Sequence, residues 1–206
     1  MMRRPMLRRR RPQERERGAI LVEFVIVIPL FMVIVLGIFE IGKAWESNQT
    51  VVQAARSGAR TVSQLGQHSQ ADHQAVQAIM ATFGNDQGDV QRIVIFEADA
   101  NGDAPSGCLT GSAAGAACNV YGPGEFADIG DDSAWADDSG PPFWGCSGGD
   151  HSDNWCPSAR NNQQRTAVYI GVRVEFVEQY QTGFFGGGTY TLTETTVMRI
   201  EPDAGS

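Results

Sequence analysis

Residues 18–42 read GAILVEFVIVIPLFMVIVLGIFEIG, and this run decides how the rest of the chain is organised. Glu23 and Glu40 are its only charged residues; Val, Ile, Leu, Phe and Met fill most other positions. A helix rises about 1.5 Å per residue and the hydrocarbon core of a bilayer is about 30 Å thick, so some twenty helical residues cross it. The alternative, a buried helix of a soluble protein, needs a large core around it when apolar residues cover all its faces. Here apolar residues occupy every side, so the run reads as a transmembrane helix.

Charge on either side of the run gives it a direction. Residues 1–17 hold eight of the chain's 16 Lys and Arg but only two of its 24 Asp and Glu, leaving eight basic against 22 acidic residues beyond, about −14. The positive-inside bias then places residues 1–17 in the cytoplasm and the acidic remainder outside, with Trp45 at the outer interface. An arginine-rich tail also suggests nucleic-acid binding, but the apolar helix directly after it favours the orientation role, and no nucleic-acid partner is expected. A cleaved secretory signal is a competing reading. Against it, the apolar run exceeds a usual signal core, lacks a small-x-small site at its end, contains Glu23, and continues into a helical sequence from Ser47 to Leu65.

Glu23 is the informative residue. An ionisable side chain within a span costs roughly 2.5–3.5 kcal/mol on insertion scales, and such residues normally have a partner and a role. Glu23 is the fifth residue counted from Ala19, and Gly18 stands just before Ala19. A basic leader, a glycine, apolar residues, a glutamate at the fifth place and a long apolar helix together resemble type IV prepilins. That resemblance implies cleavage after Gly18 by a membrane prepilin peptidase on the cytoplasmic side. It also implies pairing of Glu23 with the new amino terminus of a neighbouring subunit. Burying an ammonium beside a carboxylate compensates two charges otherwise stranded in hydrocarbon.

The run Arg17-Gly18-Ala19, Val22-Glu23-Phe24, Pro29, Gly37, Glu40 and Gly42, with the block Ala54-Ala55-Arg56-Ser57-Gly58-Ala59-Arg60, is similar to the TadE-like family of tight-adherence (Flp-type) pilus systems. Val197-Met198-Arg199-Ile200-Glu201 resembles that family more weakly. The resemblance implies a membrane-tethered minor pilin or pseudopilin that supports pilus assembly. Its implied partners are the prepilin peptidase, other pilin or pseudopilin subunits, the assembly platform and the lipid bilayer. Gly18 and Ala19 are then the processing site, and Glu23 with Phe24 the subunit-assembly residues.

Beyond the span, Val51, Ala55, Gly58 or Ala59, Val62 and Leu65 recur at helical spacing as a stripe of small residues, facing the sheet of the same domain or a neighbouring subunit. Gly66 ends that helix, and a second is expected over Ser69–Phe83, stopped by Gly84. Val90–Glu97 reads as a strand. Thr166–Tyr180 and Thr189–Ile200 alternate as the two arms of an antiparallel hairpin across a glycine-rich connection. The expected class is α+β: a long transmembrane helix continuing into a pilin-like domain with a small antiparallel sheet and a disulfide-stapled loop insertion. The divisions are residues 1–18 (leader), 19–42 (span), 43–101 (outer helices and first strand), 102–162 (insertion), 163–201 (hairpin) and 202–206 (tail).

The insertion holds all four cysteines, Cys108, Cys118, Cys146 and Cys156. Four cysteines allow three pairings. Their spacing does not match zinc motifs, and in an oxidising compartment the sequential pairs Cys108–Cys118 and Cys146–Cys156 are expected. Trp135, Phe143, Trp144 and Trp155 suggest a local mini-core in the loop, the alternative being an exposed adhesive surface. Asp99, Asn101 and Asp103 resemble half of a calcium loop, but Cys108 stands where the bidentate glutamate belongs. They read as a solvated turn and only as weak metal candidates. His68, His73 and His151 are scattered, and neither a nucleophile elbow nor a phosphate-cradling loop is present. No catalytic residue and no cofactor is expected. The rival to a pilus role is an uncleaved single-pass anchor whose outer domain binds a ligand, calcium or a surface.

Overall fold

The computed structural model describes residues 13–110, 115–126, 129–130, 152–153, 155–163, 166–183 and 187–202, with side chains described outside residues 13–17 and 152–153. Helix α1 (Gln13–Leu65) is a single run of 53 residues that continues through Pro29, about 80 Å long at 1.5 Å per residue. Its two halves live in different surroundings. Every large apolar side chain from Ile20 to Leu36 is exposed, whereas Val51, Ala54, Ala55, Ala59 and Val62 are at most 1% exposed. Gly66, at φ +51°, ends the helix with its N–H on the carbonyl of Val62. This backbone conformation is one that glycine adopts without strain.

Helix α2 (Ala71–Phe83) folds back on α1 and stops at Gly84, within two residues of the sequence expectation. Both helices lie on one face of a five-stranded antiparallel sheet. Its strands are β1 (Val90–Glu97), β2 (Cys118–Tyr121), β3 (Ser152–Asp153), β4 (Tyr169–Gln179) and β5 (Thr189–Arg199), in the order β3-β2-β1-β4-β5. The fold is α+β. Short helices α3 (Ser106–Leu109) and α4 (Pro123–Phe126) flank β2.

Alternation sets the two faces. On β4, Ile170, Val172, Val174 and Phe176 are buried towards the helices, and on β1 Ile93 and Ile95 join them. The small-residue stripe of α1 packs within this domain, against α2, β4 and β5. At Gly58 a Cβ would lie 2.5 Å from Ile79 Cδ1, so the helices approach closely because that side chain is missing. Phe83 and Phe176 stack with ring centroids 4.9 Å apart and close one end of the core. The other face carries a smaller cluster of Val94, Phe96, Cys108, Cys118 and Val120. There Phe96 lies over its sheet partner Gly171, whose Cβ would meet the ring at 2.1 Å.

Two expectations about the insertion are corrected. The sheet has more than the three strands the alternation pattern marks, because residues 118–121 and 152–153 of the insertion add β2 and β3 to its edge. Four-residue and two-residue strands are too short to show a period of two. Trp155 belongs to the main core, at 7% exposure, and not to a mini-core within the loop. Trp135, Phe143 and Trp144 lie outside the described residues.

Candidate functional site

Gly18, Ala19, Glu23 and Phe24 all sit on α1 within its uncovered half. Among the described residues nothing comes within 4 Å of where a Gly18 Cβ would be. Ala19 and Glu23 are four residues apart on one helix, so they share a face about 6 Å apart along the axis. Both residues are exposed among the described residues, and the exposed stretch from Ile20 to Phe39 separates them from the sheet.

The covered half starts at Glu40, which is 6% exposed. Its carboxylate accepts the backbone N–H of Gln181 at 2.8 Å and of Thr182 at 3.2 Å, at the start of the β4–β5 connection. Two turns further, Ser47 donates to Glu178 at 2.7 Å. At the far end of the helix, the Glu201 N–H bonds the Ser63 carbonyl. Helix α1 therefore runs antiparallel to β4 along its length, with the hairpin connection at the Glu40 end. Glu40 reads in sequence as a second charge inside an apolar run. In the folded chain its carboxylate accepts two backbone N–H groups of the β4–β5 connection, a charge-assisted contact between helix and hairpin.

Cys108 and Cys118 form a disulfide, as the sequential pairing expects. Cys156 is also disulfide-bonded; Cys146 lies outside the described residues. A closed loop of sequence separation 10 restricts the unfolded chain by about 2–3 kcal/mol on the chain-entropy model. The bond lies beside Phe96 and Gly171, nine residues along β4 from Tyr180 and so about 30 Å from the hairpin connection at ~3.3 Å per residue.

Asp99, Asn101 and Asp103 form a tight turn. Asp99 Oδ1 accepts the N–H groups of Asn101 and Asp103, each at 2.8 Å. These backbone bonds, that of Asp103 first, hold the Asp99 carboxyl below its ordinary range. The acidic residues here organise backbone donors. Among the described residues no three His, Cys, Asp or Glu side chains come together as a metal-binding group. His73, which the sequence leaves isolated, is buried with Nε2 3.1 Å from the Ile129 carbonyl; His151 lies outside the described residues.

Sequence reading misses one constellation. Asp72 on α2 and Arg160 near the end of the insertion form an ion pair with both side chains fully buried, Nη2 lying 2.6 Å from Oδ1 and 2.8 Å from Oδ2. Asn119 and Tyr121 on β2 each donate to Asp72 Oδ2 at 2.7 Å. The Arg160 guanidinium lies 4.6 Å from the ring centroid of Trp155. Asn119 exchanges two further bonds with the Trp155 backbone, and Gln67 donates to the Arg160 carbonyl. This network ties both ends of the insertion to α2. One Asp and one Arg, 88 residues apart in sequence, leave no local pattern by which to find them.

Residues 18–60 match the family model of TadE-like proteins. The matched stretch contains the uncovered apolar half of α1, the Glu40 clamp and the Ala54–Ala59 seam, and ends before the outer sheet begins. No curated protein and no solved structure gives a significant match to the chain. By length and composition, α1 is able to cross a membrane, and none of its most apolar stretch is buried among the described residues.

Proposed function

We propose that this chain is a membrane-anchored minor pilin or pseudopilin of a tight-adherence pilus system. A prepilin peptidase cuts it after Gly18 in the cytoplasm, and the sheet domain stands outside. One observation carries the reading: a single helix is bare and apolar from Ile20 to Phe39, then packs against its own domain from Glu40 onward. A TadE-like match over residues 18–60 supports it. Among the described residues no part of the folded domain covers the bare half, which as a membrane span has lipid or neighbouring helices around it. Glu23 lies one turn from Ala19 on the same face. A new ammonium on Ala19 therefore pairs with Glu23 of an adjacent subunit when two helices pack with a small axial offset. The role is structural and not catalytic.

The test is co-expression of the full chain with a prepilin peptidase, followed by N-terminal sequencing of the membrane-extracted product. The expected mature chain begins at Ala19, and Gly18→Leu leaves it uncut. A product that still begins at Met1 with active peptidase present overturns the processing step and with it the pilin assignment. Glu23→Ala is expected to spare cleavage while reducing recovery of the subunit with pili.

A further inference from the structure

The Glu40 clamp fixes more than a loop: it sets the height of the hairpin's end beside the bare helix. About twenty residues at 1.5 Å each cross a ~30 Å hydrocarbon core, so a span starting at Ala19 leaves the hydrocarbon near Glu40. Ile38, Phe39 and Ile41 around that point are 66%, 54% and 68% exposed. Glu40 holds the backbone of Gln181 and Thr182 at this same level. Tyr180 and Tyr190 flank the connection with ring centroids 5.1 Å apart. Together with Glu40, Ile41 and Ala44 they line a mostly apolar cavity of about 310 Å³. Trp45, on the next residue of the helix, is 68% exposed.

We infer that this end of the sheet rests in the lipid headgroup layer, giving the outer domain a second contact with the bilayer besides the span itself. Tyrosine and tryptophan have an apolar ring and a polar tip, and they concentrate where hydrocarbon meets water. Two tyrosines from the sheet and one tryptophan from the helix stand at the depth where the helix emerges. Lipid is the occupant because the surface continues without a break into the lipid-facing side chains Ile38, Phe39 and Ile41. The domain is then held upright at a fixed angle, with the Cys108–Cys118 end of the sheet farthest from the membrane. This inference rests on reading α1 as a membrane span.

The experiment uses the full chain with its native disulfides, reconstituted at one copy per lipid nanodisc. Spin labels are attached at Gln179→Cys and Thr189→Cys, which pair across the hairpin beside the two tyrosines. Thr195→Cys, farther up β5, and Phe31→Cys, within the bare helix, serve as references. Accessibility to dissolved oxygen and to a water-soluble nickel chelate is then measured by power saturation. Labels at 179 and 189 are expected to be several-fold less accessible to nickel than the label at 195, and Tyr180→Ser with Tyr190→Ser is expected to abolish that difference. If 179 and 189 match 195 while 31 reads as hydrocarbon, the docking is overturned and the span stands. If 31 is itself open to nickel, the span reading falls and the docking with it. Shielding that appears only in densely loaded vesicles, and not in single-copy discs, overturns lipid as the occupant in favour of a second copy.

Discussion

Replacing Asp72 by alanine strands the buried Arg160 guanidinium, and the structure allows the cost to be worked out. Both side chains are fully buried, and removing one partner of such a pair costs about 3–5 kcal/mol because the other charge is left without compensation. Asn119 and Tyr121 also lose the oxygen to which they donate, which belongs within that range and not on top of it. Arg160→Ala should cost a similar amount, since it leaves the carboxylate buried and removes the guanidinium from the face of Trp155. Single domains are stable by about 5–15 kcal/mol, so either change should bring unfolding close to ambient conditions. The double variant strands no charge. Nε and Nη1 of Arg160 have no hydrogen-bond partner among the described residues, so the intact pair is imperfectly compensated and its joint removal should be tolerated better still. We expect the double variant to lose about 2–3 kcal/mol less than the sum of the singles, the upper range for residues in direct contact. Denaturant unfolding of the full chain in detergent, with disulfides intact and followed by near-ultraviolet circular dichroism, measures all three. Additivity within about 0.5 kcal/mol would refute the claim that the two charges compensate one another in a dry interior.

Two further predictions concern the sheet. Gly171→Ala places a Cβ 2.1–2.6 Å from the Phe96 ring, which is fully buried and cannot swing aside; thermal unfolding should show a loss of about 1–3 kcal/mol typical of an overpacked core, and Phe96→Leu should recover part of it. Burial raises the Tyr190 phenol above its ordinary 10.0, with Glu178, then Glu40 and Tyr180, acting in the same direction. A folded-state value raised above the unfolded one favours the neutral form in the fold. Its contribution is therefore complete below about pH 10 and fades as pH climbs through the folded-state value; ultraviolet titration of the phenolate should show a late-titrating tyrosine that is absent in Tyr190→Phe.

What the sequence made legible follows the length of each signal. Twenty-odd apolar residues without a polar side mark α1, and alternation along most of their eleven residues marks β4 and β5. The stripe of Val51, Ala55, Gly58 or Ala59, Val62 and Leu65 was legible at helical spacing, and the structure identifies its partners as α2 and the sheet of the same domain. β2 was not legible: its four residues, CNVY, are all buried, so no inside–outside alternation exists to be read. Glu40 was visible only as a charge in an apolar run. Its meaning depends on backbone donors 141 and 142 residues away, and no local rule connects them. The Asp72–Arg160 pair was hidden for the same reason, since long-range polar contacts leave no period in the chain.

The position of Glu40 also explains why the family match spans a helix whose two halves have different surroundings. A helix that only anchored a domain would need no fixed relation between span and sheet, and a flexible linker after the apolar run would serve. Here the helix passes without interruption from bare to packed, with Glu40 and Ser47 fastening the hairpin within two turns of the boundary. Rotation or tilt of the bare half is therefore passed to the sheet through continuous helix, with Pro29, which lacks a backbone N–H, the weakest point along it. If Glu23 sets the offset between neighbouring spans, that offset also fixes the spacing of the outer domains, and the disulfide-closed end of each sheet is held at a set height above the membrane. On the proposed role, loosening the clamp with Glu40→Ala should thus leave the proposed cleavage after Gly18 unaffected while broadening the distances between domains of assembled subunits.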